Sequence, residues 1–240
     1  MTTLDILHQD EHCVAVVKPA GMMVHRHRKA EPGEIALQTL RDQLGQWVQP
    51  VHRLDRPTSG VLLFALSKEA VARFSLEFEE RRAKKTYLAL IRGHLKKAQT
   101  VDTPLERTGH RVVGPDSEAA PELTALTRFT PLEAFELPIK VHRYPTSRYA
   151  LIRAEPETGR FHQIRRHLAG ISRPIVGDYA HGDNRHNRFV GKESGVERLM
   201  LHAAALTLTH PYTGEALTLE AAPGDDFAQV LAWMRSAAAA

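Results

Sequence analysis

Three stretches of this chain carry side chains that could do chemistry together. The first is Val51-His52-Arg53-Leu54-Asp55-Arg56-Pro57-Thr58-Ser59-Gly60, a polar loop punctuated by Pro57 and Gly60. A carboxylate on a rigid loop beside cationic groups can act as a nucleophile or an acid–base group, because nearby positive charge favours its ionised form. Asp55, flanked by Arg53 and Arg56, fits that description. It also fits a turn aspartate closing a local hydrogen bond, and composition alone favours this second reading. The second stretch holds Tyr87. A strand tyrosine is usually a core side chain with its hydroxyl near the surface, but it can also stack on a base and offer its phenol for proton transfer. The third is Arg160-Phe161-His162-Gln163-Ile164-Arg165-Arg166-His167, a basic turn and a half of helix in which 162, 165 and 166 share a face. It reads either as a basic surface helix or as one arginine turned inward onto a carboxylate while others hold phosphates.

Other chemistries fit less well. There are 14 histidines, yet His162 and His167 lack the H-E-x-x-H spacing and no glutamate lies between them. His25 and His27 have no obvious third ligand. His181 and His186, with Asp178 and Asp183, form only a loosely ligand-like loop. No catalytic metal is expected. Gly191 and Gly195 match neither phosphate-cradling glycine pattern.

The elements that must position these groups follow from periodicity. Residues 4–8 and 13–18 read as strands, and Lys18-Pro19-Ala20-Gly21 ends the second with turn residues. Residues 34–44 carry Ala36, Leu37, Leu40 and Leu44 at helical spacing. After the polar loop, Val61 to Leu66 is an apolar strand. Ser67 is a plausible N-cap for a helix with Val71, Phe74 and Phe78 on its core stripe. Residues 84–92 form a strand, with Tyr87, Ala89 and Ile91 on one face. Strands return at 124–130 and 148–154. A helix starts after Thr158-Gly159 and runs to Ala169, with Ile164 and Leu168 inward. Residues 174–195 read as an irregular loop, 199–208 and 217–219 as strands, and 225–235 as a closing helix. Strands interspersed with helices, without a βαβ rhythm, predict an α+β fold with a mixed, mainly antiparallel central sheet flanked by helices.

Bulk properties agree. The 240 residues, 42% hydrophobic, suffice for one domain spanning 1–240. The single cysteine, Cys13, allows no disulfide within the chain, which suits a reducing compartment. No stretch approaches the apolar run needed to cross a bilayer, and the N-terminus does not read as a signal peptide; a cytoplasmic protein away from membranes is expected. The net charge is +4 with a pI of about 9.3. The positive charge is clustered: Arg81, Arg82, Lys84, Lys85, Arg92, Lys96 and Lys97 occur with no acid among them. Either cluster alone, here or over residues 140–173, reads as a solvated face. Two of them around a chemically suggestive centre point to RNA.

Taken in order, the motifs resemble those of the RluA-type pseudouridine synthases. His52-Arg53-Leu54-Asp55 with Thr58-Ser59-Gly60 is similar to that family's H-R-L-D-x-x-T-S-G signature. Val17-Lys18-Pro19-Ala20-Gly21, Lys85-Thr86-Tyr87, Thr158-Gly159-Arg160-Phe161-His162-Gln163-Ile164-Arg165 and Leu199-Met200-Leu201-His202-Ala203, then His210-Pro211, match its other blocks in order. The resemblance implies that Asp55 is the catalytic aspartate, that Tyr87 stacks on the target base and is the base at C5, and that Arg165 pairs with Asp55. It implies that Arg53 enters the RNA stack as the uridine flips out and that Leu201 walls the pocket, with Arg160 and His162 also at the RNA. Flipping costs a few kcal/mol, which an inserted arginine can offset in part. Isomerisation of a uridine needs no cofactor. Within the family, Tyr144-Pro145-Thr146-Ser147-Arg148-Tyr149 and the run from Gly177 to Arg185 are closest to members acting on uridine 65 of tRNA. Ribosomal RNA (rRNA) is the alternative substrate, and a non-catalytic RNA-binding module the alternative class. The chain leaves no room for the N-terminal S4-type domain of some relatives, so RNA selection falls to the catalytic domain and possible insertions at 96–122 and 177–195. A monomer is expected.

Overall fold

The structure, a computed structural model, describes residues 3–25, 34–106 and 122–239. Residue His27 and the middle of the 96–122 excursion lie outside the described residues.

The chain opens with strands β1 (Asp5–Gln9) and β2 (Cys13–Lys18), followed by helix α1 (Ala36–Leu44). β3 (Gln49–Pro50) and β4 (Ser59–Ala65) bracket the Asp55 loop. Helix α2 (Lys68–Glu79) begins on Ser67, whose hydroxyl accepts the Ala70 N–H at 3.1 Å, the N-cap expected from sequence. Then come β5 (Lys84–Arg92), β6 (Gln99–Asp102), β7 (Leu105–Glu106), β8 (Glu122–Leu123), β9 (Leu126–Leu137) and β10 (Ser147–Pro156). Helices α3 (Gln163–Gly170) and α4 (Asn184–Ser194), strands β11 (Leu201–Thr209) and β12 (Ala216–Glu220), and helix α5 (Asp225–Ala238) complete the chain.

Ten strands form one sheet in the order β1-β2-β4-β11-β5-β10-β9-β6, with β12 on β11 and β3 on β4; β7 and β8 pair separately. The β11–β4 pairing is parallel and the other strand pairs are antiparallel, so the sheet is mixed and mainly antiparallel as expected. β2 and β4 are covered on both faces, and their side chains divide with the strand period of two. Val14, Val16, Leu62 and Phe64 join Ala36 and Leu40 of α1, while Ala15, Val61 and Leu63 join Ala70 and Phe74 of α2. A separate core unites β5, β9 and β10 with α3, α4 and α5. Tyr87 packs against both the α1 core and this one.

β11 joins the two halves of the sheet. Its residues His202 and Ala203 lie opposite Ser59 and Gly60 of β4. Gly60 has φ 115°, and a Cβ there would sit 2.1 Å from the Ala203 carbonyl oxygen. Only glycine fits that crossing, which fixes where the chain emerges from the Asp55 loop.

One expectation is corrected. Residues 184–194 are helix α4, not irregular loop. Its buried side is His186, Asn187, Val190, Gly191 and Ser194, so the helical face is polar and small and leaves no apolar stripe to read. Asp183 caps it by accepting the Arg185 N–H at 3.0 Å. The buried Tyr149 hydroxyl bonds His186 Nδ1 at 2.8 Å. His52 Nε2 accepts the Leu63 N–H at 3.0 Å and so ties the Asp55 loop to β4.

Both histidines are held neutral chiefly by burial, His186 down to about 4 and His52 down to about 3, with cationic neighbours adding to each. The unfolded chain takes up their protons near 6.5. Their stabilisation is therefore full above pH 6.5 and is lost as pH falls toward 4 and below. Each is expected to cost about 1–2 kcal/mol of stability at pH 5 relative to pH 7.5. Urea midpoints at the two pH values test this; equal midpoints would refute it.

Candidate active site

Asp55, Arg53, Tyr87, Arg160, His162, Arg165 and Leu201, far apart in sequence, line one cleft of ~480 Å³. Its floor is the sheet at Tyr87 of β5 and Leu201 of β11; the Asp55 loop and the start of α3 form opposite walls.

The Asp55 loop is held from behind. The Thr58 N–H donates to the Asp55 carbonyl at 3.0 Å, closing the turn. Lys18 is fully buried, and its ammonium donates to the carbonyls of Pro19, Met22 and Arg56 at 2.8, 2.9 and 3.2 Å. Arg56 Nε donates to the Gly21 carbonyl at 3.0 Å, and the Gly21 N–H returns to the Arg56 carbonyl at 2.9 Å. Burial, aided by the charge of Arg198, brings Lys18 down to about 7, against the opposing pull of Asp55. The Lys18-Pro19-Ala20-Gly21 turn is thus the anchor of the carboxylate loop.

Arg165 faces Asp55 from α3. Its Nη1 donates to Asp55 Oδ2 at 3.2 Å, while Nε and Nη2 grip both oxygens of Asp178 at 2.7 and 2.8 Å. Such a bidentate fork fixes the plane of the guanidinium. Burial alone would weaken the Arg165 charge, but the bonds and charge of Asp178, with Asp55 after it, raise its pKa. Asp178 is 1% exposed. Burial works to raise its pKa, and the Arg165 bonds and charge, with the His181 and Ala180 N–H groups, outweigh that and lower it.

His162 stands beside the pair, its Nε2 3.7 Å from Asp55 Oδ2. Its backbone is left-handed, φ 52°, so α3 starts one residue later than His162 and not through it. This conformation is uncommon for a non-glycine residue and costs about 1 kcal/mol or more. Gln163 sustains the bend: its Oε1 accepts from the Arg160 N–H and Thr158 hydroxyl at 2.9 and 2.7 Å, and its Nε2 reaches the Leu126 carbonyl at 3.0 Å. His162 stacks on Phe161 and bonds His181 at 2.9 Å. Burial first, with Arg165 and His181, brings it down to about 4 despite the charge of Asp55.

Tyr87 lies opposite Ala203 on β11 and Ala154 on β10. Burial and the Asp55 charge push its phenol well above the usual range, which runs against a resting phenolate. Arg53 is exposed at the rim. Arg160 holds the Thr124 carbonyl through Nε at 3.1 Å, which tethers part of this side chain to the cleft edge. Leu201 is 3% exposed and belongs to the floor.

Sequence reasoning placed Asp178, Asp183, His181 and His186 together as loosely ligand-like. Their side chains face different groups: Asp178 grips Arg165, Asp183 caps α4 and pairs with Arg92 at 3.2 Å, the His186 ring meets Tyr149, and the His181 ring meets His162. The part played by Asp178 was missed. Its nearest signal is Gly177, with φ 78° and no room for a Cβ beside the Arg198 carbonyl, which marks a backbone tightly fixed just before the acid.

The sequence pattern of RNA pseudouridylate synthases matches residues 12–170. The chain is 48% identical over 221 residues to a tRNA pseudouridine synthase C of Yersinia pestis, covering 91% of this chain and 86% of that protein. A tRNA pseudouridine synthase C of Pasteurella multocida is 47% identical over 221 residues, covering 90% of each. Among solved structures, human RNA pseudouridylate synthase domain containing 4 aligns with a TM-score of 0.72 at 26% identity, over 96% of this chain and 93% of that one.

Proposed function

The chain belongs to the RNA pseudouridylate synthase family, and on that basis we propose that it isomerises a uridine of tRNA to pseudouridine, at position 65, in the cleft between Asp55 and Arg165. The observation that carries this is the line Asp55–Arg165–Asp178. It places a loop carboxylate against a guanidinium whose other side is locked, in a cleft with an aromatic floor.

The reaction breaks the N1–C1′ bond, turns the uracil in place and forms a C5–C1′ bond; the C5 proton leaves and N1 gains one. Nothing is oxidised or hydrolysed. Asp55 supplies the carboxylate at the sugar–base bond. A cleft floored by Leu201 and Tyr87 limits water, which would otherwise divert the reaction to hydrolysis. A base inside a duplex cannot reach Asp55, so it must flip; Arg53, exposed at the rim, fills the gap. Tyr87 stacks on the flipped base. Held as a neutral phenol, it can take the C5 proton only as its own proton passes on. The proposal includes action as a monomer, and a tRNA substrate favours a cytoplasmic enzyme. No described helix is long and apolar enough to cross a membrane.

Incubation with bulk tRNA followed by site-resolved mapping tests the proposal. Pseudouridine at position 65 is expected. Product confined to ribosomal RNA would overturn the substrate, and free uracil without pseudouridine would overturn the reaction. Tyr87→Phe should bind tRNA as the parent does but turn over about 100-fold more slowly, the scale of lost proton transfer. Undiminished turnover in that variant would remove Tyr87 as the base.

A further inference from the structure

The connection between β9 and β10 and the outer face of α4 form a basic surface that the cleft chemistry does not use. His142, Arg143 and Tyr144 of this connection are exposed, Tyr144 at 60%, with the Arg143 guanidinium 5.2 Å from the Tyr144 ring centre. On α4, Arg185, Arg188 and Lys192 recur at helical spacing on the side opposite the buried His186, Asn187 and Val190. The two parts touch: Arg185 Nη1 donates to His142 Nε2 at 2.7 Å. Three acids border the surface, and each already has a partner: Glu193 lies 3.9 Å from the Lys192 ammonium on the same helix. Asp183 pairs with Arg92, and Glu136 accepts from Arg148 and Thr146 at 3.1 and 2.8 Å. The positive charge of Arg143 and Arg188 is left facing solvent, with the paired Lys192 beside them.

The α4 part of this surface is connected to the cleft. On its inner side, Asn187 donates to the Asp178 carbonyl at 2.9 Å and accepts the Gly177 N–H at 2.9 Å. The helix that carries the arginines is therefore fastened to the acid that orients Arg165. At the cleft rim, His181 bonds His162, and the chain reaches Arg185 within about 14 Å of His181 at full extension. At the other end, the β9–β10 connection precedes β10, whose ten residues span about 33 Å to the cleft end at Pro156.

We infer that this surface is a second RNA-docking site, which holds the phosphate backbone of the tRNA outside the arm that carries the flipped uridine. Arg185, Arg188 and Lys192 follow the phosphates, and the Arg143–Tyr144 pair offers a stacking platform. The inference rests on the tRNA reading above and deepens it: the cleft performs the chemistry, while α4 and the β9–β10 connection select a whole folded tRNA over a short stem carrying the same uridine.

Two double variants test it, Arg185→Glu with Arg188→Glu, and Arg143→Ala with Tyr144→Ala. Each is assayed on an unmodified tRNA transcript and on an isolated hairpin of the target arm. With the transcript, KM should rise about 10-fold with kcat unchanged, and the slope of log affinity against log salt should fall by about one for each phosphate-bound arginine lost. With the hairpin, both constants should stay at parent values. An unchanged transcript KM and salt slope would overturn the inference. Equal losses on both RNAs would also overturn it, by assigning these side chains to the cleft. If the parent makes no pseudouridine in either RNA, the functional reading fails instead, and transcript binding with its salt slope still decides whether this surface holds RNA.

Discussion

Asp55→Asn is expected to abolish pseudouridine formation, by at least about 10⁴-fold, while tRNA still binds. The substitution keeps the size of the side chain and removes its charge, so it withdraws a carboxylate from the reacting atoms without reshaping the cleft. The fold should tolerate it. Arg165 keeps its two bonds to Asp178, and the loop is held by backbone contacts from Thr58, Lys18 and Arg56, none of which uses the Asp55 side chain. Stability should therefore change by no more than about 1 kcal/mol, since Arg165 is not left unpaired. Loss of a negative charge beside an RNA site should leave affinity equal or slightly higher. Product mapping, filter binding and a thermal melt on one preparation read all three quantities. Residual turnover within tenfold of the parent would remove Asp55 as the catalytic group. A melt lowered by many degrees would show that the inactivity comes from misfolding.

Arg165→Met should act in the opposite way, damaging the fold as well as the reaction. It leaves Asp178, 1% exposed, without its bidentate partner. Removing one member of a buried pair typically costs about 3–5 kcal/mol, or roughly 10 °C in a protein of this size. Activity should fall with it, because the guanidinium that faces Asp55 is gone. The pH dependence identifies the cause. In the parent, Arg165 holds the Asp178 pKa below its unfolded value of about 3.9, so that stabilisation is present above pH 4 and is lost as pH falls through the lower folded value. In the variant, burial is unopposed by Arg165 and the folded pKa rises. Asp178 then destabilises the variant increasingly as pH climbs through 4 and beyond. The stability gap between parent and variant should be widest near neutral pH and narrow toward pH 4. A gap that is constant with pH would show that lost packing, not an unpaired carboxylate, is the cause.

The legible parts of the fold were those set by short-range pattern. The Ser67 cap, the Val71–Phe74–Phe78 stripe and the alternation through β5 depend on neighbours within a turn or two residues. α4 was not legible, because its inward side is built from His186, Asn187 and Ser194, whose burial depends on partners supplied by Tyr149 and Gly177. The 124–130 strand was seen in part; β9 runs on to Leu137, and the half-buried Glu133 and exposed Glu136 break the apolar pattern. In the site, Asp55, Tyr87 and Arg165 were found by the order of their motifs, not by any property of the single residues. Lys18 and Asp178 also lay in matching stretches, but nothing there assigned either a role. A lysine is ordinarily exposed, and only the folded chain brings three carbonyls around its ammonium. Asp178 acquires its role from Arg165, which the sequence assigned to Asp55 alone.

The crossing of β11 with β4 at Gly60 has a thermodynamic consequence. The carboxylate loop belongs to the half of the molecule built on β2 and β4, whereas Arg165 and Asp178 belong to the half built on β5, β9 and β10. The cleft therefore straddles the boundary between two hydrophobic cores, with Tyr87 packed into both. A molecule bound there bridges units that could otherwise open separately, so its binding energy adds to their cohesion. Substrate and fold are coupled: the same contacts that seat the RNA raise the cost of parting the two halves, and a loosened boundary weakens the grip on RNA before any catalytic side chain is lost.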